Sequence, residues 1–264
     1  MFGAIYGDIV GSVYEFNNIY TKKFPMFSPD STFTDDTVMT LAVAKALLDY
    51  DASPGGDINL FKELLIDEMH KLGRKFPDAG YGTRFLGWLY EESREPYGSY
   101  GNGAAMRVSP VAWYAKSLKD ALILARASAE VTHDHPEGVK GAQAVAGAIY
   151  LARTGESMEK IRNFALGYYS LNFTLDEIRY SYSFNETCQQ TVPQALVAFF
   201  EATSFEDAIR NAISIGGDSD TLAAITGSVA EAFFGMKESE KEEVTKRLCP
   251  SLLKKLNNFS KFFM

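Results

Sequence analysis

The amino-acid sequence predicts an all-α fold, and three observations carry that expectation. Apolar residues recur at helical spacing along most of the chain. Strand-like alternation is confined to residues 178–184, the one modest strand candidate. Two segments, 138–152 and 221–234, are rich in Ala and Gly and poor in charge, so they suit central helices around which others pack closely.

From the N-terminus, residues 1–13 are apolar, lack a basic start and are interrupted by Asp8, which fits a buried first helix better than a secretion signal. A helix follows Thr34-Asp35-Asp36, residue types that cap free backbone donors, with Val38, Met39, Ala42, Val43, Ala46 and Leu47 on one face. Helical periodicity returns at 58–72, 121–129, 161–168, 192–200 and 205–213. Residues 93–103, rich in Gly, Tyr and Ser, read as a functional loop and not as a domain boundary. The basic stretch 241–261 is interspersed with Leu and Phe, so it reads as a packed helix pair with a solvated face. With 264 residues, 46% of them apolar, and no linker, residues 1–264 are expected to form a single domain around a large core.

A formal charge of -8 and a pI near 5.0 argue against a nucleic-acid backbone as main partner, since no Lys/Arg stripe exists to neutralise phosphates. No uninterrupted apolar stretch reaches transmembrane length, so no membrane partner is expected. Cys188 and Cys249 are too few to staple a chain of this size; a reducing, cytoplasmic compartment is the default, with a single disulfide left open. A monomer is the simplest assumption.

The densest chemical signal is a pair of carboxylate clusters far apart in sequence, Thr34-Asp35-Asp36-Thr37 and Gly216-Gly217-Asp218-Ser219-Asp220-Thr221, each leading into a helix. One Asp before one helix is ordinary capping, because a helix start offers unpaired donors and the positive end of its dipole. Asp35 and Asp36 cannot both be the cap, however, and Asp218 with Asp220 repeats the excess. If the fold brings the four together, their repulsion calls for cations between them, and oxygen ligands suit Mg²⁺ or Mn²⁺. Neither cluster contains Cys or His, which disfavours zinc.

Gly101-Asn102-Gly103-Ala104-Ala105-Met106-Arg107 is either an ordinary Gly-rich turn or a loop whose consecutive N–H groups cradle an anion such as phosphate. Arg107 could pair with phosphate or with an acidic residue. His70 sits on a helical stretch as a surface or packing residue, whereas His133 and His135, at the entry to the 138–152 helix, are read as substrate contacts.

Taken together, these motifs resemble those of the ADP-ribosylglycohydrolase family. The resemblance runs in order from Gly7-Asp8-Ile9-Val10-Gly11-Ser12 with Glu15, through Phe33-Thr34-Asp35-Asp36-Thr37, the loop from Gly101 to Arg107 and Thr132-His133-Asp134-His135, to the segment from Gly216 to Thr221. It implies a compact single-domain orthogonal helical bundle with two divalent metal ions, Mg²⁺ first and Mn²⁺ second. Thr34, Asp35, Asp36, Asp218, Asp220 and Thr221 carry over as metal ligands; Ser219 stands where the family often has Thr. Glu15 carries over as the acid/base, with Asp35 and Asp218 beside it in the catalytic group. Gly101, Asn102, Gly103, Ala104, Met106 and His133 are the implied substrate-binding residues.

The implied reaction is metal-dependent hydrolysis of the glycosidic bond between the distal ribose of ADP-ribose and an acceptor, through an oxocarbenium-like sugar. A protein arginine side chain is the acceptor expected first, so that the partner is an ADP-ribosylated protein; a serine side chain or a small ADP-ribosyl metabolite is the alternative. Three other classes account for parts of the pattern. A phosphoesterase would use similar metals but release phosphate or cut between phosphates. A non-catalytic ADP-ribose binder need not keep Glu15 or all six ligands, and a purely structural helical protein gives no reason to concentrate four aspartates before small-residue helices.

Overall fold

In the computed structural model, which describes residues 1–262, the named elements are all helices. α1 (Phe2–Gly11) is apolar, and its start is tied by an ion pair between the Met1 amino group and Glu231. α2 (Asp35–Asp51) begins where the Thr34 hydroxyl accepts from the Asp36 amide at 3.3 Å. α3 (Ile58–Lys75) is capped by Asp57 and ends on Arg74 and Lys75, cations at the negative end of its dipole. Of three short helices, α5 (Gly103–Met106) lies within the Gly-rich loop, and α4 (Thr83–Tyr90) and α6 (Ser109–Tyr114) lie on either side of it in sequence. α7 (Leu118–Glu130), α8 (Pro136–Arg153), α9 (Met158–Leu166), α10 (Leu175–Ile178), α11 (Cys188–Phe200), α12 (Phe205–Ile213), α13 (Ser219–Phe234), α14 (Glu238–Arg247) and α15 (Pro250–Lys261) complete the chain.

α8 and α13 are the central helices, and their small residues explain the position. α13 is buried continuously from Ser219 to Ala230. On α8, a Cβ added at Gly147 would lie 2.1 Å from the Phe164 ring, so the absence of a side chain there is what lets α9 close on α8. The closest pairing is between α1 and α13. Gly3, Gly7 and Gly11 recur every four residues and therefore share one face of α1. A Cβ added at Gly7 would fall 2.0 Å from the Ala223 carbonyl oxygen, and one at Gly11 2.4 Å from the Asp220 Cα. The two backbones touch, and this contact carries the acidic start of α13 to the C-terminal end of the first helix.

The C-terminal stretch folds as a helix pair, with α15 packed on α2 and Lys255 paired to the buried Glu68 of α3. The strand expected at 178–184 does not form: α10 ends at Ile178, a turn follows, and among the described residues the one β-type contact nearby is an isolated bridge between Gly101 and Thr187. Its alternation has another cause, because Tyr182 turns inward against Gly217 while Tyr180 and Phe184 face solvent. His70 is not on the surface; it is buried against Trp88, with Nδ1 3.1 Å from the Leu89 carbonyl. Among the described residues no helix is long and apolar enough to cross a membrane.

Candidate functional site

The α1–α13 contact brings four sequence-distant segments to one place. Asp8, in the middle of α1, is fully buried. Its Oδ1 accepts from the Thr34 hydroxyl at 2.6 Å, and its Oδ2 accepts from the Thr34 amide at 3.0 Å, the Thr37 amide at 3.1 Å and the Thr37 hydroxyl. Both oxygens are thus occupied in holding the start of α2. One turn beyond α1, Asn18 clamps Gly217: its Oδ1 accepts from the Gly217 amide at 2.8 Å and its Nδ2 donates to the Gly217 carbonyl at 2.9 Å. The same Nδ2 lies 2.9 Å from the Glu15 carbonyl, which fixes Glu15 beside the second cluster.

Carboxylate oxygens consequently converge in two triads, Asp8 with Asp36 and Asp220, and Glu15 with Asp218 and Asp220, each within 4.8 Å. Asp220 belongs to both. Asp218 is oriented by Asn102, whose Nδ2 donates to its Oδ2 at 2.7 Å and to Thr191 at 3.1 Å. The Thr221 hydroxyl donates to Asp36 Oδ2 at 3.2 Å, while Asp36 Oδ1 is buried without a partner.

Burial is the first cause that pushes these acids upward, followed for most of them by mutual repulsion. The Asp8 carboxyl is raised to about 6 by burial despite its hydrogen bonds. Glu15 is raised to about 7 by burial and by the charges of Asp218 and Asp8. Asp35, Asp36 and Asp220 are held well above the usual carboxylate range for the same reasons, and Asp218 is raised too, although bonds from its neighbours pull it back. An orphaned oxygen on Asp36, an all-oxygen donor set and carboxylates too close to ionise together fit hard divalent cations. Asp36, Asp218 and Asp220 would hold them, with Glu15 in reach of one. Asp8, although in a triad, already accepts four hydrogen bonds and orients Thr34 and Thr37.

These groups line one end of a cleft of about 520 Å³. Gly101 and Gly103 lie along its wall beneath His133; a Cβ on Gly103 would sit 3.1 Å from His133 Nε2, close enough that the ring would have to give way by a few tenths of an ångström. His133 Nδ1 is 2.7 Å from the Thr132 hydroxyl, which in turn accepts from Arg107 at 2.8 Å. Burial, with the Arg107 and Arg84 charges, holds His133 well below the usual histidine range, and so neutral.

Of the residues expected at the site, Glu15, Asp35, Asp36, Gly101, Asn102, Gly103, Met106, His133, Asp218, Asp220 and Thr221 all line this cleft. Asp35 stands outside both triads, half-buried near Gly80. Thr34 sits behind the wall as the α2 cap. Ala104 does not line the cleft: it is fully buried, because α5 turns that side into α8 and α13. Among the described residues Arg107 makes no ion pair; it is buried at the cleft wall, its Nη2 donates to the Ser128 carbonyl and Thr132 while its Nε has no partner, and desolvation lowers it to about 10. His135 caps α8 through Nδ1 at 3.1 Å from the Glu137 amide, which accounts for its place at the junction without a substrate. Two organising residues escaped the sequence reading. Asp8 was signalled by a carboxylate next to Gly7 inside a helix otherwise apolar; Asn18 carried no local signal.

The family profile described as ADP-ribosylglycohydrolase matches residues 1–252. ADP-ribosylhydrolase ARH3 of Mus musculus is 27% identical over 316 aligned residues, covering 89% of this chain and 83% of the relative. The Homo sapiens protein of that name is 28% identical, covering 89% and 84%. ADP-ribosylarginine hydrolase Tri1 of Pseudomonas putida is 27% identical, covering 93% of this chain and 72% of the relative. A solved structure titled ADP-ribosylglycohydrolase-related protein complex superposes with a TM-score of 0.70 over 100% of this chain and 97% of that chain, at 22% identity, a likeness of fold.

Proposed function

The chain belongs to the ADP-ribosylglycohydrolase family, and from that premise we propose that it is a hydrolase that frees ADP-ribose from an oxygen-linked acceptor, a serine side chain first. The observation that carries the hydrolase reading is the pair of carboxylate triads sharing Asp220 at the end of a cleft walled by the Gly-rich loop. The acceptor choice departs from the arginine expected from sequence. Relatives matched over 83–84% of their length are named ADP-ribosylhydrolase with no acceptor specified, whereas those named for ADP-ribosylarginine match over 70–72% of theirs. Arginine-linked substrate is the second reading.

In this mechanism Glu15, beside Asp218 and Asp220, exchanges the proton of the leaving group or of the attacking water. Asn102 holds Asp218 in a fixed orientation, and Asp8 does the same for Thr34. Gly101 and Gly103 leave room for a pyrophosphate beside the neutral His133, which offers Nε2 to it. When bound, two divalent cations, Mg²⁺ first and Mn²⁺ second, supply charge neutralisation and hold the distal ribose and water by Lewis acidity. Asp36, Asp218, Asp220 and Thr221 are their proposed ligands, with Thr34 completing the set by its remaining lone pair and Asp35 flanking it.

Mass spectrometry of products from serine-linked and arginine-linked ADP-ribosylated peptides, with Mg²⁺ and with an EDTA control, tests the proposal. Metal-dependent release of intact ADP-ribose, faster from serine, is expected. Release from arginine alone would restore the second reading, and release of phosphate or AMP would refute the glycosidase.

A further inference from the structure

Large exposed aromatic side chains are concentrated at one edge of the cleft. Phe16 is 79% exposed, Tyr180 81%, Phe184 42% and Tyr20 41%. They pair across two loops: Phe16 stacks on Phe184 with ring centroids 6.0 Å apart, and Tyr20 meets Tyr180 at 5.9 Å. So much apolar area left in water by two ring pairs on the same two loops marks an interaction surface more than a packing remnant.

Both loops stand over the carboxylate end. Glu15, of the second triad, immediately precedes Phe16. Asn18 clamps Gly217 from the first loop, and a Cβ on Gly217 would fall 2.3 Å from the Tyr182 ring of the second, so both loops rest on the residue before Asp218. Phe16 and Phe184 also border the cleft itself. In the reaction proposed above, the bond to the acceptor breaks at this end, which places these rings next to whatever the acceptor is attached to.

Resting on that reading, we infer that this aromatic rim docks the polypeptide that carries the ADP-ribosyl group, contacting residues that flank the modified side chain. Glu186 is exposed two residues from Phe184, and the chain carries a net charge of -8, so a flanking Lys or Arg complements the rim and can lie over a Phe face. The rim then separates protein-borne substrates from small ADP-ribosyl compounds, which do not reach it.

The test compares kcat/KM for an ADP-ribosylated peptide with a flanking Arg against that for the ADP-ribosyl amino acid alone, with Mg²⁺, in the wild type and in the Phe16→Ala/Tyr180→Ala double variant. The peptide-to-amino-acid ratio is expected to fall about tenfold in the double variant, as for the loss of a modest interface anchor, and to be kept in Phe16→Tyr. A ratio that moves less than about twofold while both substrates are cleaved overturns the rim. So does a wild-type dimer, seen by analytical ultracentrifugation, that the double variant dissolves, since the rings would then belong to a second copy. If the wild type cleaves neither substrate, the functional reading itself falls and the rim with it.

Discussion

At the first aspartate cluster the backbone is ordinary. Thr34 has an extended φ of -117° and caps α2, and the cluster is positioned by side-chain bonds from Asp8 beneath it. At the second, the backbone itself is unusual: Gly216 and Gly217 have φ of +69° and +76°, and Asp218 begins α13 without making a cap bond. Left-handed glycines free the Asp218 carboxylate from capping; Asn102 then fixes the carboxylate from outside, and Asn18 fixes the Gly217 backbone before it. One cluster is thus a helix cap with a spare carboxylate, the other a turn built to release two. Between them Asp220 is the common member, and it is there only because α1 and α13 touch along glycines.

The largest expected effects come from the carboxylates. Asp36→Ala and Asp218→Ala each abolish ADP-ribose release and weaken divalent-cation binding in calorimetric titration; unchanged rate and isotherm would dissolve the contrast between clusters. Glu15→Gln lowers turnover by more than about 100-fold, the usual worth of positioned acid/base catalysis, while keeping the fold and the number of cations bound. A near-wild-type rate would remove Glu15 from the chemistry.

Gly7→Ala acts on neither cluster directly. Its Cβ meets a backbone oxygen at 2.0 Å, which cannot swing aside, so denaturant unfolding should lose about 3 kcal/mol as in core overpacking. Loss of cation affinity in the folded variant would show that the helix contact, and not the clusters alone, sets the site.

The smallest effect is one of pH. Without cations the Glu15 and Asp8 carboxyls sit at about 7 and about 6, above their ordinary values, so the folded chain binds more protons than the unfolded one between roughly pH 4 and 7. The stability from these groups is present at the acid side of that window and is lost as pH rises through the folded values. Cations at the neighbouring Asp36, Asp218 and Asp220 favour the ionised forms and relieve that loss, so the rise in Tm on adding Mg²⁺ should be larger at pH 7.5 than at pH 5.5. An equal rise at both would contradict cation binding at these acids.

Much of this was legible before the structure. An excess of aspartates over what capping requires located both clusters, and Ala/Gly-rich segments located α8 and α13, because local composition reports local packing. What stayed hidden depends on contacts between distant segments. Arg107 reads as an anion ligand or an ion-pair partner, and only the fold shows that its Nη2 is held by Thr132 and the Ser128 carbonyl while the residue borders the cleft. Tyr180, Tyr182 and Phe184 alternate as a strand would, yet the alternation reflects Gly217 on one side and water on the other. Asn102 sits in a loop that suggests substrate, and its amide turns out to hold Asp218.

The central claim is that Asp220 joins two triads into one centre. Titrating the cation-free protein with Mn²⁺ in a calorimeter, for the wild type and for Asp220→Ala, tests it most directly. Two ions per wild-type chain are predicted, with both affinities reduced by more than about tenfold in the variant, the scale of losing one determinant of a metal site. One ion in the wild type, or a variant that keeps one site at full affinity, would contradict a shared centre.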